Sequence, residues 1–237
     1  MAGVTDLAFR TVCRELGAGY TVTEMVSAKA LCYQDKKSIP LLELGAGEHP
    51  AAVQLFGSDP CCMEQAAGIA AERSGAEIID VNMGCPVPKV AQNGDGSGLM
   101  RTPDLAVRVA EAVIRGAGGR PVTVKFRLGW DNGADMAMIG RGCFGNPWLF
   151  QQARAALEGQ EIPPLPPLAR RCDTAVRQFR LAAEHKGEHI ACLEARKHYA
   201  WYLRGVPHAG YYKEQISQVS TLADIERITA GIQRDLC

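Results

Sequence analysis

Apolar residues along this chain fall into short runs of strand type, separated by longer stretches with apolar positions three and four residues apart. The short runs cover residues 20–26, 51–57, 78–82, 122–127 and 134–139. Strands that alternate with helices favour a parallel sheet with helices outside it. We therefore predict an α/β fold whose short strands are apolar on both faces, as in a buried parallel sheet.

Polar and glycine residues gather at the carboxyl ends of the predicted strands. They are Gln54 and Gly57, Asn82 and Cys85, Lys125 and Arg127, and Gly140 and Arg141. This placement is typical of the site of a (β/α) barrel. Gly140 and Arg141 precede a short predicted helix, so they are read as a phosphate site. The alternative is an ordinary glycine turn.

The spacing between the last two predicted strands conflicts with a parallel arrangement. Only residues 128–134 separate them, whereas a parallel crossover needs about a dozen residues or more. One explanation is a β-hairpin, because Asn132-Gly133 is a strong two-residue turn signal. The other is that a block of sequence, about two βα units, is missing at residues 130–133.

A proline-rich stretch divides the chain. Residues 161–168 predict a stiff linker, and only helices are predicted after it, over residues 169–185, 189–204, a shorter stretch after Pro207 and a last helix from Ser220 or Thr221. We therefore predict three segments: an incomplete barrel at 1–160, the linker at 161–168 and a helical domain at 169–237.

Composition narrows the class of protein. The 237 residues carry no net charge, so charge alone gives no indication of a nucleic-acid partner. No apolar run is long enough to cross a membrane, and nine cysteines without C-x-x-C spacing or a leader pattern suggest reduced thiols. We expect a cytoplasmic, monomeric protein with no membrane or metal partner.

The candidate chemistry lies at two strand ends. Cys85, on a Gly-Cys-Pro turn, presents a free thiol that is mostly protonated at neutral pH and can act as an acid. The Asn82 amide can both donate and accept hydrogen bonds, and Lys125 can stabilise negative charge. Ordinary structural roles remain open for all three: a small buried thiol, a strand-end cap and a solvated cation.

Several ordered motifs resemble the tRNA-dihydrouridine synthase family. They lie at residues 1–6, 23–26, 53–57, 82–90, 124–127, 138–142, 145–148 and 195–198. The most specific are Asn-Met-Gly-Cys-Pro from Asn82 and Lys-Phe-Arg from Lys125. The resemblance implies an FMN-containing (β/α)8 barrel and a helical tRNA-binding domain, and an enzyme that reduces the C5=C6 bond of a tRNA uridine, with NADPH as reductant.

The resemblance also implies roles for individual residues. Cys85 would supply the proton, and Asn82 and Arg127 would lie near the substrate. The flavin contacts would be Met1, Ala2, Gln54, Lys125, Gly140 and Arg141. In the helical domain, the candidates for tRNA phosphate contacts are Arg196, Lys197, His198 and Arg204, whereas the neighbouring aromatic residues Tyr199, Trp201 and Tyr202 are expected to be core.

The chain departs from the family pattern in two places. It is expected to begin inside or just after the family's first strand. Between Arg127 and Asp135 it also lacks two strands, one ending in His-Gly-Arg and one in Asn-Gly-Asp, which by resemblance help to hold the flavin. One alternative function is therefore an inactive isoform or gene-model fragment that keeps some tRNA binding. Another is a flavin oxidoreductase acting on a free small molecule, although such an enzyme does not need the helical domain.

Overall fold

The computed structural model describes residues 2–126 and 141–237, with Arg141 described by its backbone alone. The described residues form two compact units, one from residues 2–6 and 19–126 and the other from residues 7–18 and 141–237. In the described part of the first, here called the sheet unit, four strands are parallel in the order β1 (Thr21–Ser27), β2 (Ala51–Phe56), β3 (Ile78–Asn82) and β4 (Val122–Lys125). The predicted strand at 134–139 and the junction at 130–133 lie outside the described residues.

The helices of the sheet unit include two long ones that cover one face of the sheet. These are α3 (Pro60–Ser74) and α5 (Pro103–Gly116), and the shorter ones are α2 (Ala28–Cys32) and α4 (Pro88–Ala91). Asp59 caps α3 by accepting hydrogen bonds from the backbone N–H groups of Cys61 and Cys62. The segment between β3 and α5 contains α4 and a 3₁₀ turn at Gly96–Arg101.

The core between sheet and helices is built from branched strand residues and small helix residues. Val53, Leu55, Ile79 and Val81 face the buried alanines of α3, namely Ala66, Ala67, Ala70 and Ala71. α3 and α5 approach so closely that a Cβ on Gly116 would lie 2.1 Å from the backbone oxygen of Glu64. Small side chains therefore set the distance between these two helices.

The prediction that the strands are apolar on both faces is wrong for the face away from this core. Successive strand residues point to opposite faces, and alternate positions carry Gln54, Asp80, Asn82 and Thr123. Gln54, Asp80 and Asn82 are nevertheless buried. These polar side chains can be buried because they satisfy one another by hydrogen bonds. The periodicity of apolar residues does not reveal such pairing.

The second unit, here called the helical unit, consists of α1 (Leu7–Glu15) and the helices α6 (Leu149–Leu157), α7 (Leu168–Lys186), α8 (Glu188–Tyr202), α9 (Gly210–Ile216) and α10 (Leu222–Leu236). α1 packs against α7. The four helices after residue 160, α7 to α10, closely match the predicted ones in their bounds. The predicted domain boundaries differ from this division at two places, since α1 and the described residues 141–160 belong to the helical unit.

Large side chains fill the core of the helical unit. Phe179, Tyr199 and Tyr202 are almost fully buried, with Trp148 and the isoleucines of α9 and α10 around them. Thr221 and Asp224 form a reciprocal capping box at the start of α10. The expectation that Tyr199 and Tyr202 belong to the core is confirmed. Among the described residues, the helices are all too short or too polar to cross a membrane.

Candidate active site

A row of polar side chains crosses the sheet near the carboxyl ends of the strands. The parallel register pairs Gln54 on β2 with Asp80 on β3, and Asp80 with Thr123 on β4. Gln54 Nε2 donates to Asp80 Oδ2 at 2.6 Å, and Thr123 Oγ1 donates to Asp80 Oδ1 at 2.5 Å. Both carboxylate oxygens of Asp80 therefore accept a hydrogen bond from a neighbouring strand.

Asn82 joins this row to the turn that carries the thiol. Its Nδ2 donates to Gln54 Oε1 at 2.8 Å, while its Oδ1 accepts from the backbone N–H groups of Gly84 at 3.2 Å and Cys85 at 2.9 Å. This side-chain cap is one of the structural roles left open by the sequence. Asn82 fixes the path of the chain into Cys85, and one of its two amide hydrogens is committed to Gln54.

Close backbone contacts surround the Cys85 turn. A Cβ on Gly84 would lie 3.3 Å from Lys125 Nζ, so the lysine ammonium lies beside the turn. On the other side, a Cβ on Gly96 would lie 2.9 Å from the backbone oxygen of Cys85, which accepts a hydrogen bond from Ser97 N at 3.0 Å. The turn at Gly96 and Ser97 is therefore packed against Cys85, whose side chain is half-buried.

Asp80 is a site residue that the sequence analysis missed. It is only 4% exposed, and burial raises the pKa of its carboxyl, against the hydrogen bonds from Thr123 and Gln54 and the charge of Lys125, which lower it. The signal in the sequence is a single carboxylate inside the apolar run Ile78–Asn82. A charged residue there needs hydrogen-bond partners, and these come from the two neighbouring strands.

The predicted flavin and substrate contacts are only partly described. Gln54, Asn82 and Lys125 share the carboxyl ends of β2, β3 and β4, with Cys85 following β3. Ala2 is exposed, and the adjacent Gly3 N donates to Glu24 on β1. Met1, Arg127, Gly140 and the side chain of Arg141 lie outside the described residues. Within the described ranges, His, Cys, Asp and Glu side chains form no cluster suited to a metal ion.

The four candidate tRNA contacts of the helical unit occupy different environments. Lys197 and Arg204 are exposed, and Arg196 Nε donates to the backbone oxygen of Val219 at 3.0 Å. His198 is only 5% exposed, pairs with Gln178 at 3.2 Å and packs against Phe9 and Trp201. This geometry contradicts a surface role for His198, because a buried ring that contacts two aromatic side chains is part of the core.

Comparison with known proteins identifies relatives along most of the chain. The family model "Dihydrouridine synthase (Dus)" matches residues 1–134 and, separately, residues 131–234. A "Probable tRNA-dihydrouridine synthase" of Mycobacterium tuberculosis is 30% identical, covering 95% of this chain and 79% of that protein. "tRNA-dihydrouridine synthase B" is 30% identical in Pasteurella multocida (93% and 87%) and 33% identical in Proteus vulgaris (86% and 84%).

The alignments also show that this chain lacks an internal block. The mycobacterial alignment spans 306 positions, whereas 95% of 237 residues is about 225, so about 80 positions of the alignment are absent from this chain. The two segments matched by the family model meet at residues 131–134, where the spacing of the strands predicted a missing block. The chain thus belongs to the dihydrouridine synthase family, as a member without this internal block.

Proposed function

We propose that this protein descends from, and retains the central machinery of, an enzyme that reduces the C5=C6 bond of a uridine in tRNA. The observation that carries the proposal is the turn at Cys85, which Asn82 caps and Lys125 flanks at the carboxyl end of a parallel sheet. Reduction of the ring requires a proton and a hydride on adjacent carbons, and Cys85 is the candidate proton donor.

The residues present fit one part of a flavin. Gln54 retains a second amide hydrogen beyond the one given to Asp80, and Lys125 provides a cation, which together suit the polar pyrimidine edge of an FMN ring. When bound, FMN supplies the hydride that no side chain can provide, with NADPH as the reductant of the protein. Ala2 and the Gly140-Arg141 turn are the further proposed contacts.

The protein's own residues have three tasks in this proposal. The Cys85 thiol holds the proton that goes to C5 of the base. Asn82 fixes the conformation of the turn that carries Cys85, because its Oδ1 accepts hydrogen bonds from the backbone N–H groups of Gly84 and Cys85. Arg127 is the proposed contact for the substrate, and the exposed Lys197 and Arg204 are proposed to bind tRNA phosphates.

A second candidate function is a non-catalytic member of the family that binds tRNA. The observation in its favour is the block of about 80 positions missing relative to the mycobacterial protein. Between Arg127 and Asp135 the sequence also lacks the His-Gly-Arg and Asn-Gly-Asp strand ends expected there from the family resemblance. Both would contribute to the flavin site, so their loss weakens cofactor retention before it affects the helical unit.

One set of measurements separates the two functions. The purified protein is examined for the visible absorbance of bound FMN, and then given NADPH, FMN and tRNA from a strain that lacks dihydrouridine. Mass spectrometry of the digested tRNA measures the product. The enzyme hypothesis predicts dihydrouridine with the native chain and none with Cys85→Ala, although both variants retain flavin equally.

The opposite results are equally informative. Colourless protein that shifts tRNA in a gel, without product at saturating FMN, would establish the binding function and exclude the enzyme. Unchanged turnover in Cys85→Ala would remove Cys85 as the proton donor. Cys61→Ala is the matched control, because this exposed thiol lies on α3 outside the candidate site and its loss should leave turnover unchanged.

A further inference from the structure

Two cysteines of the sheet unit lie side by side where α2 packs against α3. Cys32 is the last residue of α2, and Cys62 lies in the first turn of α3. The Cys32 thiol donates to the backbone oxygen of Cys62, with 3.4 Å between sulfur and oxygen, and a hydrogen bond also joins the two side chains. Both are free thiols and half-buried, so small molecules in the solvent can reach them.

The strands of the sheet bring these two helices together. α2 starts directly after β1, with Ser27 as its cap, and α3 starts three residues after β2. The junction between them is tight, because a Cβ on Gly57 would lie 2.8 Å from Met63 Sδ and 3.2 Å from the Cβ of Ala28. Two helices anchored on adjacent strands therefore hold the thiols in the proximity that a disulfide requires.

The order in which the thiols react follows from their surroundings. Burial and the neighbouring Cys62 thiol raise the pKa of Cys32, so Cys32 keeps its proton. Because peroxides react with thiolates, Cys62 is the thiol that reacts first and Cys32 the one that follows. The exposed Cys61 is a poor partner for Cys62, since adjacent Cα atoms are about 3.8 Å apart and a disulfide usually needs about 4.4–6.8 Å.

We propose that Cys32 and Cys62 form a site of reversible oxidation, at which a hydroperoxide joins the two thiols in a disulfide between α2 and α3. The Cys62 thiolate attacks a peroxide oxygen, and the O–O bond breaks to give a sulfenic acid and a hydroxide or alkoxide ion, which takes up the proton that Cys62 lost. The Cys32 sulfur then attacks the Cys62 sulfur. The S–S bond forms, the S–O bond breaks, and the hydroxide leaves as water with the proton of Cys32. The two sulfurs together lose two electrons, which reduce the peroxide.

A thiol pair in the helical unit provides an internal comparison. Cys13 and Cys143 hydrogen-bond to each other but are only 4% and 3% exposed. This hydrogen bond lowers the pKa of Cys143, so ionisation alone would favour oxidation there. A peroxide must nevertheless reach the sulfur before it can react. We therefore expect the half-buried Cys32 and Cys62 to be oxidised while the buried pair stays reduced.

The disulfide would also constrain a long part of the sheet unit. The segment between residues 32 and 62 contains the whole of β2. A disulfide formed at an existing contact lowers the entropy of the unfolded chain without distorting the folded one, so oxidation should raise the urea midpoint. This inference does not depend on whether the protein reduces uridine.

Oxidation of the native chain with hydrogen peroxide tests the proposal. After free thiols are blocked with N-ethylmaleimide, a tryptic digest should contain a crosslink between residues 30–36 and 38–73, which dithiothreitol should remove. The second peptide carries both Cys61 and Cys62, so fragmentation must place the bond on Cys62. Cys61→Ser should keep the crosslink, whereas Cys32→Ser and Cys62→Ser should each lower its yield by at least about tenfold.

Four results would overturn the proposal. The first is oxidation of Cys62 to a sulfinic acid in the native chain without a crosslink. The second is a crosslink that needs Cys61 and survives in Cys62→Ser. The third is joining of Cys13 to Cys143 at the same dose of peroxide, which would mean that the unfolded chain reacts. The last is a lower urea midpoint for the oxidised chain, which would show that the bond forms only by distorting α2 and α3.

Discussion

The sheet unit and the helical unit are stabilised in different ways. The sheet unit packs small helix residues against one face of its sheet and uses the other for a buried charged network around Asp80. The helical unit is filled by large aromatic side chains. Its buried side-chain pairs include neutral ones, such as Tyr202 with Gln178 and Tyr199 with Thr229, while the buried guanidinium of Arg171 donates to the backbone oxygen of Tyr202. We therefore expect substitutions of the same kind to have different consequences in the two units.

The largest effect is expected from the tightest glycine of each unit. In Gly145→Ala, the new Cβ would lie 2.2 Å from the carbonyl carbon of Trp201, and the backbone φ of +67° disfavours any side chain. Steric overlap and backbone strain together should cost about 3–4 kcal/mol. Gly116→Ala, which overlaps the Glu64 carbonyl without this strain, should cost about 1–3 kcal/mol. Urea denaturation with localised hydrogen exchange measures both.

Two glycines serve as controls for these substitutions. Gly159 has the same φ of +67°, but a Cβ there would meet no other atom within 4 Å, so Gly159→Ala isolates the strain and should cost about 1 kcal/mol. Gly68 lies within α3, where a Cβ would have its nearest contact at 3.6 Å, so Gly68→Ala should be neutral or slightly stabilising. Loss of protection in the sheet unit alone for Gly145→Ala would contradict the assignment of this contact to the helical unit.

The next effect concerns the buried carboxylate of the sheet unit. Asp80→Ala leaves the Gln54 amide and the Thr123 hydroxyl without their acceptor, and should cost about 2–3 kcal/mol. Asp80→Asn should be neutral or slightly stabilising near neutral pH, because burial disfavours the ionised carboxylate and Thr123 can turn its hydroxyl to accept from the new amide. Chemical denaturation gives the stability of both variants.

A second measurement shows whether this network supports the candidate site. Asp80 orients Gln54, which holds Asn82, so Asp80→Ala should accelerate alkylation of Cys85, followed by site-resolved mass spectrometry. Tyr202→Phe is the counterpart in the helical unit. It removes one neutral hydrogen bond to Gln178, should cost about 1 kcal/mol and should not change the Cys85 rate. Equal alkylation rates in Asp80→Ala and the native chain would disprove the coupling.

The features that could be predicted from the sequence are those that depend on neighbouring residues. The incomplete (β/α)8 barrel is confirmed, since the family has that fold and the described strands are parallel. Local patterns suffice for strands β1 to β4 and for the cap at Thr221, because periodicity and capping are properties of neighbouring residues. They also led to the junction at 130–133, because a crossover cannot be made from seven residues.

The parts that were missed depend on contacts between distant residues. Asp80 becomes a site residue only when Gln54, 26 positions earlier, and Thr123, 43 positions later, are brought beside it. The assignment of α1 to the helical unit rests likewise on its packing against α7. His198, a candidate for tRNA binding by its basic neighbours, is buried because it lies on the side of α8 that faces Gln178.

The helix caps should show the least difference between the two units. Asp59→Ala removes the acceptor for two N–H groups at the start of α3, and Thr221→Ala removes one side of the capping box of α10. Each should cost about 1 kcal/mol, because a cap acts on its own helix terminus whatever core lies beneath. Thermal unfolding of the two variants tests this. A cost above about 2 kcal/mol for either one would indicate a tertiary role.

The smallest expected effect is an opposite dependence on pH. Burial raises the pKa of Asp80 above 3.8, so its contribution to stability is complete below pH 3.8 and is lost as pH rises through the raised value. In the helical unit, hydrogen bonds from Arg234 and Tyr212 lower the pKa of Asp235 to about 2. Its contribution to stability is therefore present above pH 3.8 and is lost as the pH falls toward the lowered pKa.

Urea midpoints measured from about pH 6 down to about pH 2 test this difference. As the pH falls, the midpoint of Asp80→Asn should approach that of the native chain from above, and the midpoint of Asp235→Asn should approach it from below. Parallel curves for the two variants would mean that these carboxyls do not distinguish the units. Because Asp235 is exposed, added salt should reduce its contribution and leave that of the buried Asp80 nearly unchanged.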